Sequence, residues 1–221
     1  MTSQSGYTGH VDPQGAAATR EAGPLTITKV SVGPMDNNAY FLRSNSTGET
    51  LLIDAANDAG TLLRLLGDAD LTTIVTTHRH ADHWQALAEV AKETNARLIA
   101  HPADADALPV AATDLVNDGD TITVGDVTLD VVHLVGHTPG AIALVYREPG
   151  GRPHLFTGDS LFPGGPGKTT NPEDFRSLMG HLERKIFARL PDETWVYPGH
   201  GDDTTLGTER PHLPEWRERG W

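Results

Sequence analysis

From Leu25 onward, apolar and polar residues alternate in short runs, "LTITKVSVG", "NAYFLRS" and "TLLIDA". Turn-forming residues at Asp36-Asn37-Asn38 and Ser46-Thr47-Gly48 separate them, a pattern that predicts antiparallel strands. The period then changes. Leu62, Leu63, Leu65 and Leu66 mark a helical stretch, and Gly67 stands where a glycine cap would close it. "LTTIVTTH" reads as a short buried strand, and Ala86, Leu87, Val90 and Ala91, between Trp84 and Thr94, recur at helical spacing. Further strands are expected at "ARLIA", "DTITV", "VTLDVVHLV", "AIALVYR" and "RPHLFTG". Asn171-Pro172-Glu173-Asp174 carries a helix start, with proline at the first helical position and acid in the first turn. Phe175, Leu178, Met179, Leu182, Ile186 and Leu190 then share one buried face. A last strand, "ETWVYPGH", and a short charged helix follow. The order strands, helix, strands, helix occurs in both halves without a fixed repeat, which predicts sheets covered by helices.

Composition narrows the class. The chain has 221 residues, 38% hydrophobic and 21% charged, as expected for one globular domain, placed over residues 24–221. No apolar run approaches the roughly 20 residues that span a bilayer. Residues 1–23 are polar and lack a basic or apolar leader region, so they read as a loose tail, and a soluble, cytoplasmic protein is expected. A net charge of -13 with no local Lys/Arg cluster argues against nucleic acid as a partner. No membrane partner is expected either, and a small molecule is the expected substrate. Cysteine is absent, which removes disulfides, thiolate ligands and a cysteine nucleophile together. Any metal must bind through nitrogen and oxygen.

"THRHADHW", from Thr77 to Trp84, places His78, His80, Asp82 and His83 between a strand end and a helix start. Neutral imidazole with carboxylate suits zinc, iron or manganese. Later in the chain, His137 in "VGHTPG", Asp159 in "FTGDSLF" and His200 in "YPGHG" each lie beside glycine where a strand ends. Strand ends converge on one rim of a sheet, so these residues can meet the first cluster in space.

These motifs, with "DNNAYFL" and "LIDAA", follow one another in an order that resembles the metallo-β-lactamase-fold hydrolases, within them the glyoxalase II (hydroxyacylglutathione hydrolase) branch. The resemblance covers about Leu25 to Asp202. It implies an α/β (α+β) fold, an αββα sandwich of two mixed sheets flanked by helices, with a dinuclear metal site at one edge. Position by position, it implies that His78, His80 and His137 hold one metal, that Asp82, His83 and His200 hold the other, and that Asp159 bridges them. Two divalent ions, zinc first with iron or manganese as alternatives, would supply hydroxide at neutral pH and polarise a carbonyl. Asp82 and Asp159 are then the carboxylates nearest the reaction, with Asp82 also able to pass a proton. Asp54, at the end of "LLID", implies a carboxylate that orients a ligating imidazole.

The implied reaction is hydrolysis of a thioester, ester or lactone. The chain stops soon after "YPGHG", short of the helical domain with which that branch grips glutathione, so the leaving group is left open. A mononuclear-iron persulfide dioxygenase using His78, His137 and Asp159 is the alternative from another class, and β-lactam cleavage is a possible side activity. Lys168, in "FPGGPGKTT", is a candidate cation for a substrate carboxylate. Tyr40 and Tyr197 read as pocket border or core. His101 and His133 read as structural, and His10, His154, His181 and His212 as surface residues.

Overall fold

The computed structural model describes residues 6–220. A first sheet runs in the order β1 (Ala18–Ala22), β2 (Leu25–Val32), β3 (Asn37–Ser44), β4 (Thr50–Ile53), β5 (Leu71–Val75), β6 (Arg97–Ala100) and β7 (Asp114–Leu115). The first four strands are antiparallel and the last four parallel. A second sheet is built from β8 (Thr121–Val124), β9 (Val127–His133), β10 (Ile142–Arg147), β11 (Pro153–Gly158), β14 (Trp195–Pro198) and β15 (Thr204–Thr205), in the order β15-β14-β11-β10-β9-β8. Between β11 and β14 lie a small hairpin, β12 (Leu161–Phe162) with β13 (Gly165–Pro166), and a long helix.

Both faces of the central strands are buried, because their side chains alternate between two cores. Tyr40, Leu42, Leu51 and Ile53 of the first sheet meet Leu129, Val131, Ile142, Leu144 and Phe156 of the second. Their neighbours Ala39, Phe41 and Leu52 face outward onto helices α1 (Ala59–Leu66) and α2 (Leu87–Thr94), where Leu62, Leu87 and Val90 cover them. On the opposite outer face, Ala143, Val145 and Leu155 pack under α4 (Pro172–His181) and the wider helical turn Leu182–Phe187 that continues it. The four layers are thus helix, sheet, sheet, helix, the αββα sandwich that the motifs implied. Asn171 caps α4 as expected, its side-chain oxygen accepting from Glu173 N and Asp174 N at 2.9 Å. Phe175, Leu178, Met179, Leu182, Ile186 and Leu190 are all buried.

Three expectations need correction. Of the loose tail at residues 1–23, the first five lie outside the described residues, but Ala18–Ala22 is a strand paired with β2. Further upstream, Val11 is buried and the Gly9 carbonyl accepts from Lys29 Nζ at 2.7 Å. "ATREA" lacks apolar alternation because main-chain pairing at a sheet edge, not a buried face, holds it. His154 is not a surface residue. It is fully buried, because β11 is flanked by β10 and β14, and its ring bonds Tyr197 and Glu148. The helix expected from Trp84 begins at Leu87, after a tight turn at Ala81–His83 whose exit is tied by Gln85 N and Ala86 N to the carbonyls of Ala56 and Ala55. No helix among the described residues is long and apolar enough to cross a membrane.

The sheets meet closely along one edge, stitched by Ile142 N to Thr77 O at 2.9 Å and by Asn38 N to Gly199 O at 2.8 Å. The ends of β4, β5, β11 and β14 and the β9–β10 connection all open there.

Candidate metal centre

The parallel pairing of β4 with β5 carries Asp54 and the "THRHADHW" segment to that edge, and the parallel pairing of β11 with β14 carries Asp159 and His200 to it. His137 arrives on the β9–β10 connection. All seven expected ligand residues come together. The ring nitrogens of His78, His80 and His137 lie within 4.8 Å of one another, as do the ligand atoms of Asp82, His83 and His200. Asp159 stands between the two groups, its Oδ2 3.5 Å from Nε2 of both His137 and His200, and its Oδ1 3.2 Å from His83 Nε2. Gly199 allows this packing, since a Cβ there would strike Asp159 Oδ1 and come 2.7 Å from His83 Cε1.

Hydrogen bonds on the outer ring nitrogens fix how the imidazoles face. His137 Nδ1 donates to the Lys168 carbonyl at 2.7 Å, and His200 Nδ1 donates to the Met35 carbonyl at 2.8 Å. His83 Nδ1 donates to Asp54 at 2.9 Å. Thr77 Oγ1 gives its proton to Asp54 at 2.7 Å, so its oxygen is left to accept from His78 Nδ1 at 3.0 Å. In the neutral ring each of these bonds leaves Nε2 with a lone pair turned to the centre. His78 Nε2, His137 Nε2 and Asp159 Oδ1 are accordingly buried without a hydrogen-bond partner. Acceptor atoms facing one another in a buried place repel unless a cation sits among them. The donor set, nitrogen and oxygen only, therefore fits divalent cations of the kind such ligands favour.

The charges agree. Burial would raise the Asp159 carboxyl, but His83 and His200 outweigh it and hold it well below the usual range. Burial pulls His83 down, yet Asp159 and Asp54 push it up to about 10, so without metal this ring keeps a proton where a cation would neutralise the same carboxylates. Burial, reinforced by the charge of His83, drives His78 well below its ordinary value. His137 is likewise lowered, chiefly by burial.

Asp54 is buried and accepts from Thr77 N, Thr77 Oγ1 and His83, as an orienting carboxylate should. Lys168 touches the centre through its carbonyl, while its side chain is exposed. Tyr40 and Tyr197 belong to the core, Tyr40 donating to the Pro198 carbonyl at 2.6 Å just ahead of His200. His101 caps a short helix, α3 (Pro102–Ala105), and stacks on His133 at 3.8 Å between ring centroids, in neither ligand group. Asn37 and Thr77 were not anticipated. Asn37 Nδ2 donates to Asp82 Oδ2 at 2.9 Å, and a polar residue inside the otherwise strand-like "DNNAYFL" was the available signal.

Residues 32–200 match the model of the metallo-beta-lactamase superfamily. A hydroxyacylglutathione hydrolase from Polaromonas sp. is 39% identical over 168 residues, a match that takes in 74% of this chain and 62% of that enzyme's length. Among solved structures, the BLEG-1 B3 metallo-beta-lactamase superposes with a TM-score of 0.75 at 28% identity, covering 86% of this chain and 98% of its own. TTHA1623 in a di-iron-bound form superposes with a TM-score of 0.69 at 30% identity, covering 82% and 96%.

Proposed function

The chain belongs to the metallo-beta-lactamase superfamily, and we propose that it is a dinuclear metal-dependent hydrolase of a small acyl substrate, with a thioester ahead of an ester or lactone. One observation carries this reading. Four imidazoles are oriented from outside with Nε2 inward, around a carboxylate that reaches both ligand groups. The likeness to a hydroxyacylglutathione hydrolase supports the thioester, and the likeness to a di-iron protein supports two cations.

His78, His80 and His137 would hold one cation, Asp82, His83 and His200 the other, and Asp159 both. When bound, such a pair supplies an acidified water at neutral pH and polarises a carbonyl. Asp159 keeps the two halves at a fixed spacing. Asn37 holds Asp82 Oδ2 toward His200, 3.2 Å from its Nε2, where this carboxylate is placed to hold or pass a proton. His80 is exposed, so the acyl group would approach from its side, and Lys168, whose carbonyl holds His137 and whose side chain is exposed, is the cation offered to a substrate carboxylate. No serine or cysteine nucleophile is required. A mononuclear dioxygenase would engage His78, His137 and Asp159 and leave Asp82, His83 and His200 without a task.

Elemental analysis of protein purified without added metal, paired with thioester hydrolysis and with oxygen uptake on a persulfide, tests the reading. The expected result is about two cations per chain and thioester cleavage, both diminished in His80→Ala. One iron per chain, oxygen uptake and no hydrolysis would replace it with the dioxygenase.

A further inference from the structure

We propose that Asp104 is the positioning residue for the half of the centre formed by His78, His80 and His137. The proposal rests on the metal-centre reading above and extends it to a residue in none of the ligand motifs. Asp104 lies on α3 and is 2% exposed. Its Oδ2 accepts from the main-chain N of Arg79 at 3.0 Å and from Thr138 Oγ1 at 2.6 Å. Its Oδ1 accepts from Gly140 N at 2.9 Å, and Arg79 Nε stands 3.8 Å away. Arg79 sits between His78 and His80, and Thr138 follows His137. One buried carboxylate therefore joins the two loops that carry these three imidazoles.

The local sequence is shaped around that contact. A Cβ at Gly140 would lie 2.7 Å from both Asp104 Cγ and Asp104 N, so "HTPG" approaches α3 only because its last residue has no side chain. At the other end of the loop, a Cβ on Gly136 would lie 2.5 Å from Asp174 O and Leu178 Cβ, which seats that end on α4. The loop has one place to be.

The chemistry parallels that of Asp54 but acts on a different part of the chain. Asp54 takes the ring N–H of His83 directly. Asp104 touches no ligand ring and instead fixes the Arg79 peptide N–H between His78 and His80, and the Thr138 hydroxyl and Gly140 N–H after His137, setting where the ligands' Cα–Cβ bonds point. A carboxylate is needed because every group facing it is a donor. An amide of the same shape would turn its own N–H against one of them.

The test is stepwise Zn2+ loading of metal-free protein, with two affinities read by calorimetry and each imidazole followed by 15N–1H ring spectra. In Asp104→Asn, the cation whose arrival shifts the His137 ring should bind about 10–100-fold more weakly. The cation that shifts His200 should stay within about threefold. Thr138→Val, which removes one donor of the three, should weaken the same cation severalfold and decides the matter if Asp104→Asn does not fold. Unchanged affinities in a folded variant overturn the proposal, as does an equal loss at both cations. Amide hydrogen exchange at Arg79 and Gly140 in the metal-free protein should quicken in Asp104→Asn. Unchanged exchange there overturns the clamp even if the wild-type chain takes up no cation pair, an outcome that would sink the functional reading instead.

Discussion

Around Asp82, His83 and His200 the ligand groups are fixed one at a time, by Asp54, Asn37 and the Met35 carbonyl. Around His78, His80 and His137 two loops are tied together, Asp104 holding the main chain beside the rings while Thr77 and the Lys168 carbonyl orient two of them. Each half has one buried imidazole, His83 in the first and His78 in the second, but only the second has an exposed ligand, His80. The segment after β5 carries ligands of both halves, and β14 completes the first with His200. The second is completed by His137 on the β9–β10 connection, which β-pairing alone does not hold against that segment, so it needs a separate clamp, and it gains an open side for substrate at His80.

Breaking the half whose ligands are fixed one at a time should have the largest effect. Asp54→Ala removes the acceptor of His83 and of two Thr77 donors, leaving the buried ring beside a void. Loss of one partner of a buried, hydrogen-bonded pair costs about 3 kcal/mol, so the metal-free protein should melt markedly earlier than wild type. Binding of the cation seen by His200 should fall about 10–100-fold, with thioester hydrolysis falling alongside, and the cation seen by His137 should weaken less, through the Thr77 contact to His78. Equal weakening at the His137 cation would erase the distinction between the halves.

A smaller change probes the same half by crowding. Gly199→Ala drives a methyl group against Asp159 and His83, and overpacking of this kind costs about 1–3 kcal/mol. Since Asp159 reaches both ligand groups, this variant should weaken both cations alike, whereas Asp54→Ala should weaken them unequally. Calorimetric titration separates the two patterns, and an effect confined to one cation would show that Asp159 does not couple them.

The same contrast explains what could be read from the chain. The ligands were legible because metal chemistry demands particular residue types at strand ends, and sheets covered by helices because helical and two-residue periods both mark buried faces, while the four-layer order came from the family resemblance. Asp104 was not. "PADADAL" looks like an acidic surface loop, and only the fold brings Arg79, Thr138 and Gly140 to it. The strand at Ala18–Ala22 escaped notice because edge pairing through the main chain leaves no apolar signature. His154 looked exposed because a single strand does not reveal which strands will flank it.

His154 also supplies the smallest prediction and a control on the comparison, since acid titrates this ring as well as the metal ligands. Burial, offset only in part by Glu148, lowers it from its ordinary value to about 4. The unfolded chain therefore binds a proton at this residue more readily than the folded one between pH 6.5 and about 4. Its contribution to stability is complete above that window and is lost as the pH falls through it. Between pH 6.5 and 5 the loss is on the order of 1–2 kcal/mol. Denaturant unfolding of wild type and His154→Gln across this range, both metal-free, should show their stability difference shifting by that amount against wild type. A constant difference would mean that the acid sensitivity of the fold resides elsewhere than in His154, and the two halves would then have to be compared at a pH where none of the ligand histidines titrates.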